Sequence, residues 1–166
     1  MPEPAPRRAL LVTVTGVAKN MSMCNFVLWA VNAHAFDQEF IDATTGQLGV
    51  APEPSDISLK SSRVRAGARY FTLTPNMCNC GTLMGLGDSG QPSDGIETQA
   101  LLGWIARMPE FAPRISRLAL YNAWSPEDDQ ITPGRAKGIQ VAQLDELLLR
   151  RLPEDMLLTI DYPARY

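Results

Sequence analysis

The residues Phe26–Val31 (Phe-Val-Leu-Trp-Ala-Val) form an unbroken apolar run of strand length, which a folded chain has to bury. Four other short runs share its β-branched and aromatic character: Leu10–Thr15, Arg69–Thr74, Leu118–Trp124 and Met156–Ile160. Side chains of this kind suit a pleated surface, so each run reads as a strand. The run at 26–31 also has a helical face through Met23, Phe26, Val27, Ala30 and His34. Periodicity does not separate a buried strand from a buried helix over so few residues, and the strand is preferred on length.

Three other stretches have helical spacing. Phe36, Phe40 and Ile41 lead into Thr44-Thr45-Gly46, which reads as a short helix with a glycine stop. Ile96, Ala100, Leu101, Trp104, Ile105 and Met108 recur on one face and stop before Pro109, with Asp94 and Glu97 as a capping pair. Leu144, Leu147, Leu148 and Leu152 mark a last amphipathic helix ended by Pro153. The segments 49–62 and 125–138 are rich in proline, glycine, serine and charge, and read as exposed connections. Strands interleaved with helices give an α+β (or α/β) class, with a single-layer, mostly antiparallel or mixed sheet of about five strands and helices packed on it. Strand order is not legible at this level.

A chain of 166 residues fits one domain, assigned to residues 9–166, after a flexible leader at 1–8 with three prolines and no hydrophobic period. Apolar residues at 45% and charged ones at 20% match a folded domain rather than a disordered chain. Two arginines precede the first apolar run, but that run is short and carries Thr13 and Thr15, so it suits a strand better than an export signal. No stretch reaches 18 uninterrupted apolar residues, which leaves no membrane-spanning helix to expect. Three cysteines, an odd number, fit a reducing compartment, and the expected location is cytoplasmic.

With 15 basic and 18 acidic residues the net charge is −3, so no global positive field favours general nucleic-acid binding. Arg63, Arg65 and Arg69 nevertheless alternate as they would on one face of a strand, where a solvated face is the plain reading.

The segment Pro75–Gly95 (PNMCNCGTLMGLGDSGQPSDG) carries most of the remaining chemistry. It joins a strand to a helix, where α/β sheets place ligand sites, and structureless connections longer than about 12–15 residues are uncommon unless functional or disordered. Cys78, Asn79, Cys80 and Gly81 form its C-x-C-G turn and are the expected ligand-binding residues. Cys24, His34, Cys78 and Cys80 together have the composition of a Cys3His shell that would hold zinc, although their spacing is not that of a zinc finger. Met21, Met23, Met77 and Met84 add thioethers that cuprous copper would accept, but methionine usually fills cores. A redox pair at Cys78 and Cys80 is disfavoured, because one intervening residue strains an internal disulfide. The plain alternative is three buried cysteines and no cofactor.

Gly87–Pro92 (Gly-Asp-Ser-Gly-Gln-Pro) resembles the Gly-Asp-Ser-Gly-Gly-Pro segment around the nucleophile of chymotrypsin-like serine proteases, which would give Ser89 that role. The likeness covers six residues, and a two-barrel protease does not fit this length or these helices. Gly85-x-Gly87-x-x-Gly90 matches the dinucleotide fingerprint in letters only, being distant from the preceding strand and separated from the helix by Pro92. His34 lacks a recognisable nucleophile partner and reads as structural. Glu127, Asp128 and Asp129 are adjacent acids whose oxygens would splay apart, so a solvated loop is expected. Trp29, Trp104 and Trp124 fall in core elements and read as packing.

These features favour a small cytoplasmic binding or interaction protein, without clear catalytic machinery, that meets a protein or small molecule through residues 75–95. The alternative is a zinc, copper or thiol-dependent protein centred on Cys78 and Cys80. Pairing of two copies through a strand edge is a third route to function.

Overall fold

In chain order the strands are β1 (Asn25–Val31), β2 (Glu53–Pro54), β3 (Ser58–Leu59), β4 (Arg69–Thr72), β5 (Arg117–Trp124), β6 (Gln130–Ile131), β7 (Arg135–Gln140) and β8 (Met156–Asp161). The helices are α1 (Gln38–Leu48), α2 (Thr98–Ala106), α3 (Met108–Phe111) and α4 (Glu146–Arg150). The computed structural model describes residues 25–73, 83–88, 90, 95–124 and 129–164. The expected strand Leu10–Thr15 and the leader at 1–8 lie outside these residues.

Six strands form one sheet in the order β2-β4-β1-β5-β8-β7. All neighbours are antiparallel except β7 and β8, which are parallel and joined through α4. The fold is therefore α+β with a mixed, mostly antiparallel sheet.

The apolar run at 26–31 makes β1, a strand buried on both faces. Val27, Trp29 and Val31 join the larger core with Phe40, Phe71, Trp104, Leu120 and Ile160. Trp29 packs edge-on against Trp104 with ring centroids 5.5 Å apart, and Phe40 does the same against Phe71 at 5.6 Å. Phe26, Leu28 and Ala30 face the other way, into a smaller core with Leu59, Ala119, Tyr121 and Leu157. That second face is closed by residues 57–70 and by the two-stranded parallel pair β3–β6, with Ile57, Val64, Ala68, Tyr70 and Ile131 packed onto it. Each large side chain taken out of water in this way contributes about 1.5–3 kcal/mol.

Local chemistry sets the helix ends. Asp37 caps α1 by accepting from the Phe40 amide at 2.9 Å. The expected stop at Gly46 is not where α1 ends: Gly46 lies inside the helix, and termination falls at Gly49, whose left-handed φ of 74° turns the chain. Glu97 itself caps α2, accepting from Gln99 and Ala100 at 3.0 and 2.8 Å, while its expected partner Asp94 lies outside the described residues. Pro109 does not finish the helical path but opens the short α3, where its missing N–H costs nothing. The indole of Trp104 donates to Thr44 Oγ1 at 2.9 Å and ties α2 to α1.

Three other expectations change. Residues 49–62 contain β2 and β3, and Leu59 is buried rather than exposed. Residues 125–138, read as a loop, contain β6 and the first part of β7, an edge strand in which Ile139 alone is buried, so it has no apolar alternation to betray it. Arg63 and Arg65 sit in turns around Gly67, and only Arg69 belongs to a strand.

Gly46 is exposed, in the interior of α1, with nothing within 4 Å of the position a Cβ would take. Gly46→Ala is expected to raise stability by about 0.5–1 kcal/mol. Gly49→Ala, at positive φ, is expected to lower it by about 1 kcal/mol. Urea unfolding of both variants checks the opposite signs.

Candidate binding cleft

The described part of the connection between β4 and α2 begins in the core. Leu83 and Met84 are buried in the larger core, so Met84 fills space as core methionines do. From there Gly85 and Gly87, both left-handed at φ 71° and 75°, turn their amides toward the end of α4. The Gly85 amide donates to the Leu149 carbonyl at 3.1 Å and the Gly87 amide to the Arg150 carbonyl at 2.8 Å. Helix ends leave such carbonyls without partners, and the glycine turn supplies them. These two amides are thus spent on protein and not available to a phosphate, which removes the physical basis of a dinucleotide fingerprint here. A Cβ on Gly90 would stand 2.8 Å from the Leu86 carbonyl oxygen, so only glycine fits the return of this turn.

Arg150 fastens the turn from the other side. Its Nη1 donates to the Gly87 and Gly90 carbonyls at 3.3 and 2.5 Å, and its Nε donates to Glu146 at 2.8 Å, with the side chain 12% exposed. Arg151 forms a two-pronged ion pair with Asp88 at 2.8 and 2.9 Å, fully in solvent. The hydrogen bond from Arg151, reinforced by its charge, holds the Asp88 carboxyl below its ordinary pKa of 3.8.

Between this turn and α4 opens a cleft of about 440 Å³ walled by Gly85, Gly87, Arg150, Arg151 and Pro153. Asn122 of β5 also lines it and is 2% exposed. Its Nδ2 donates to the Leu152 carbonyl at 3.2 Å, while its Oδ1 has no partner among the described residues. The wall beyond Glu154 is stiff. Asp155 holds a left-handed φ of 59°, its amide donates to the Asn122 carbonyl at 2.8 Å, and its carboxylate accepts from the Gly134 amide and the Tyr121 hydroxyl. Burial and the neighbouring Asp155 push the Tyr121 hydroxyl far up, so it stays a donor. A second groove of about 300 Å³ shares Arg151, Leu152 and Pro153 and is lined by Leu147 and Leu148.

The last helix differs from its expected form. It spans five residues, capped by Asp145, which accepts from the Leu148 amide at 2.8 Å. A helix this short, preceded by a 3-10 turn at Val141–Gln143, does not sustain one phase from Leu144 to Leu152. Leu149 and Leu152 point inward and Leu147 is 43% exposed.

Of the expected site residues, Cys24, Cys78, Asn79, Cys80 and Gly81 lie outside the described residues, as do Ser89, Met21, Met23, Met77, Glu127 and Asp128. His34 is exposed in a 3-10 turn directly after β1. Among the described residues no group of three or more histidine, cysteine or acidic side chains is placed to hold a metal ion. Trp29 and Trp104 are buried as packing, and Asp129 is exposed. Asn122 and Arg150 were not anticipated as site residues. A signal for Asn122 exists, as a polar residue in register with the inward Leu118 and Leu120 of its strand. Comparison with protein families, characterised proteins and solved structures finds no match to this chain.

Arg150→Ala is expected to cost about 1–3 kcal/mol and to accelerate hydrogen exchange at the Gly85 and Gly87 amides, as measured by NMR. The Asp88–Arg151 pair has its own pH signature. A carboxyl lowered in the folded state contributes fully above its ordinary pKa, and the contribution disappears as pH falls through the depressed one. An acid titration of the Arg151 Nε resonance should therefore show its midpoint below 3.8, and that transition should disappear in Asp88→Asn, which has no carboxyl to titrate.

Proposed function

We propose that the protein is a binding or interaction module whose contact site is the connection 75–95 together with the cleft it walls against α4. The observation that carries this reading is Asn122 Oδ1, a buried acceptor at the cleft without a partner among the described residues. A buried acceptor left alone costs about 1–3 kcal/mol, so an occupant that offers it an N–H recovers that energy. Concave sites with a few fixed polar groups are the ordinary form of a ligand pocket. The donor requirement narrows the occupant to an amide- or amine-bearing small molecule or a peptide segment of a protein partner. The groups at hand bind and orient: a carboxamide, the Glu154 carboxylate and the Arg151 nitrogen that its pair with Asp88 leaves over.

The address that goes with this reading is the cytoplasm, on the strength of the odd cysteine count. Among the described residues no helix is long and apolar enough to cross a membrane.

The zinc reading on Cys24, His34, Cys78 and Cys80 is less favoured. Six extended steps of β1 separate Asn25, the sequence neighbour of Cys24, from Val31, a span of about 20 Å, and His34 lies beyond. Ligand atoms on one zinc stand about 4 Å apart. A thiol or metal role confined to Cys78 and Cys80 remains the competing proposal.

The test is an NMR titration of the ¹⁵N-labelled full chain with a panel of N-methylamides and short neutral peptides. The expected result is saturable shifts confined to Gly85, Gly87, Arg151 and the Asn122 side chain. No response, or responses clustered on other surfaces, ends the reading. Elemental analysis of the same sample decides the competitor, since stoichiometric zinc or copper removed by a chelator with loss of stability would favour it instead.

A further inference from the structure

The opposite end of β5 carries a second constellation. Asn32 follows β1 directly, and with Arg63, Arg65, Ser116 and Arg117 it rims a narrow cleft whose apolar floor includes Val64 and Ala119. The cleft has room for one or two water-sized groups, about 20 Å³. Asn32 Nδ2 donates to the Arg114 carbonyl at 3.1 Å, while its Oδ1 is buried without a partner among the described residues. Arg69 pairs across from Val31 and brings a further guanidinium to this end of the sheet.

The arginines divide into two kinds. Arg117 is fully used: it grips Asp161 with Nε and Nη2 at 2.5 and 3.1 Å, and its Nη1 holds the Arg63 carbonyl at 2.9 Å. It positions the turn that carries Arg63. Arg63, Arg65, Arg69 and Arg114 are exposed and form no ion pair among the described residues. Asp161, the acid the contacts bring here, is already neutralised by Arg117. Four arginines without an ion pair among the described residues thus gather at one end of a chain whose net charge is −3, an arrangement that self-repulsion disfavours until an anion arrives.

We infer that this end of the sheet is an anion-binding site for a phosphorylated small molecule. Its phosphate is held at the mouth by Arg65 and by Arg63, whose guanidinium swings off Gly138 of β7 to meet it, and a hydroxyl or amino group enters the narrow cleft to donate to Asn32 Oδ1. Guanidinium forks match the oxygens of phosphate, and a dianion answers several positive charges better than one carboxylate does. The water-sized cleft admits one polar group on a small ligand and excludes a stacked base. This inference stands apart from the cleft at Asn122, five strand steps or about 17 Å along β5 from Arg117, so neither reading depends on the other.

The test is calorimetric titration of the full chain with sodium pyrophosphate, beside NMR mapping of the bound form. The expected result is saturable one-to-one binding, with shifts at Asn32, Arg65 and Ser116, weakened at least about tenfold in Arg63→Ala/Arg65→Ala. Neither side chain makes a hydrogen bond or ion pair among the described residues, so an unchanged thermal midpoint should show that the double variant is folded. Absence of saturable binding overturns the proposal. Equal affinity in the double variant marks pyrophosphate as an adventitious ion only. Tighter binding of a single-stranded oligonucleotide, with one protein for every few nucleotides, would reassign the surface to nucleic acid.

Discussion

The antiparallel ladder between β1 and β5 is the constraint from which the other arrangements follow. Its strands are apolar on both faces, so neither face of the sheet centre can meet water. One face is satisfied by the helices α1, α2 and α3, the other by the turns of residues 57–70 and the β3–β6 pair. Both broad faces of the sheet centre are covered, and two clefts lie at the two ends of the ladder. The Asn122 cleft opens at one end and the arginine-rimmed cleft at the other, and each has at its edge an asparagine carboxamide oxygen without a partner among the described residues.

The arginines of the two ends illustrate how one residue type takes different parts. Arg150 and Arg117 are spent on carbonyls and carboxylates, and their effect is to fix backbone turns. Arg63 and Arg65 ride on a turn so fixed; both residues are exposed, and the Arg63 guanidinium rests against Gly138 of β7. A rigid support beneath an unpaired charge reduces the ordering cost of meeting a ligand, which is what a preorganised site requires.

The elements whose side chains report their own environment were legible in the sequence. β1, β4, β5 and β8 are continuous apolar or aromatic runs, and α1 and α2 carry a sustained helical stripe. What escaped was structure imposed from outside. β7 is polar because it lies at the sheet edge, and its pairing is dictated by β8 rather than by its own composition. β2, β3 and β6 are two residues each, too short for any period. The same division holds at the site. The length and glycine content of residues 75–95 marked the connection, but the Gly85 and Gly87 amides bond to Leu149 and Arg150 of a helix far along the chain, and no local pattern encodes that meeting. Asn122 was visible only as a polar residue in an apolar strand, and its meaning depended on which face it took.

The flanks of the sheet have a consequence for assembly. Among the described residues the outermost strand on one side is β2, two residues long and containing Pro54, which has no N–H to offer a neighbour. On the other it is β7, where Arg135 and Lys137 stand exposed beside Gly138. A short, proline-bearing border and a cationic one both resist the lateral docking of another β-segment. Growth of the six-stranded sheet from molecule to molecule is thereby discouraged at these two borders.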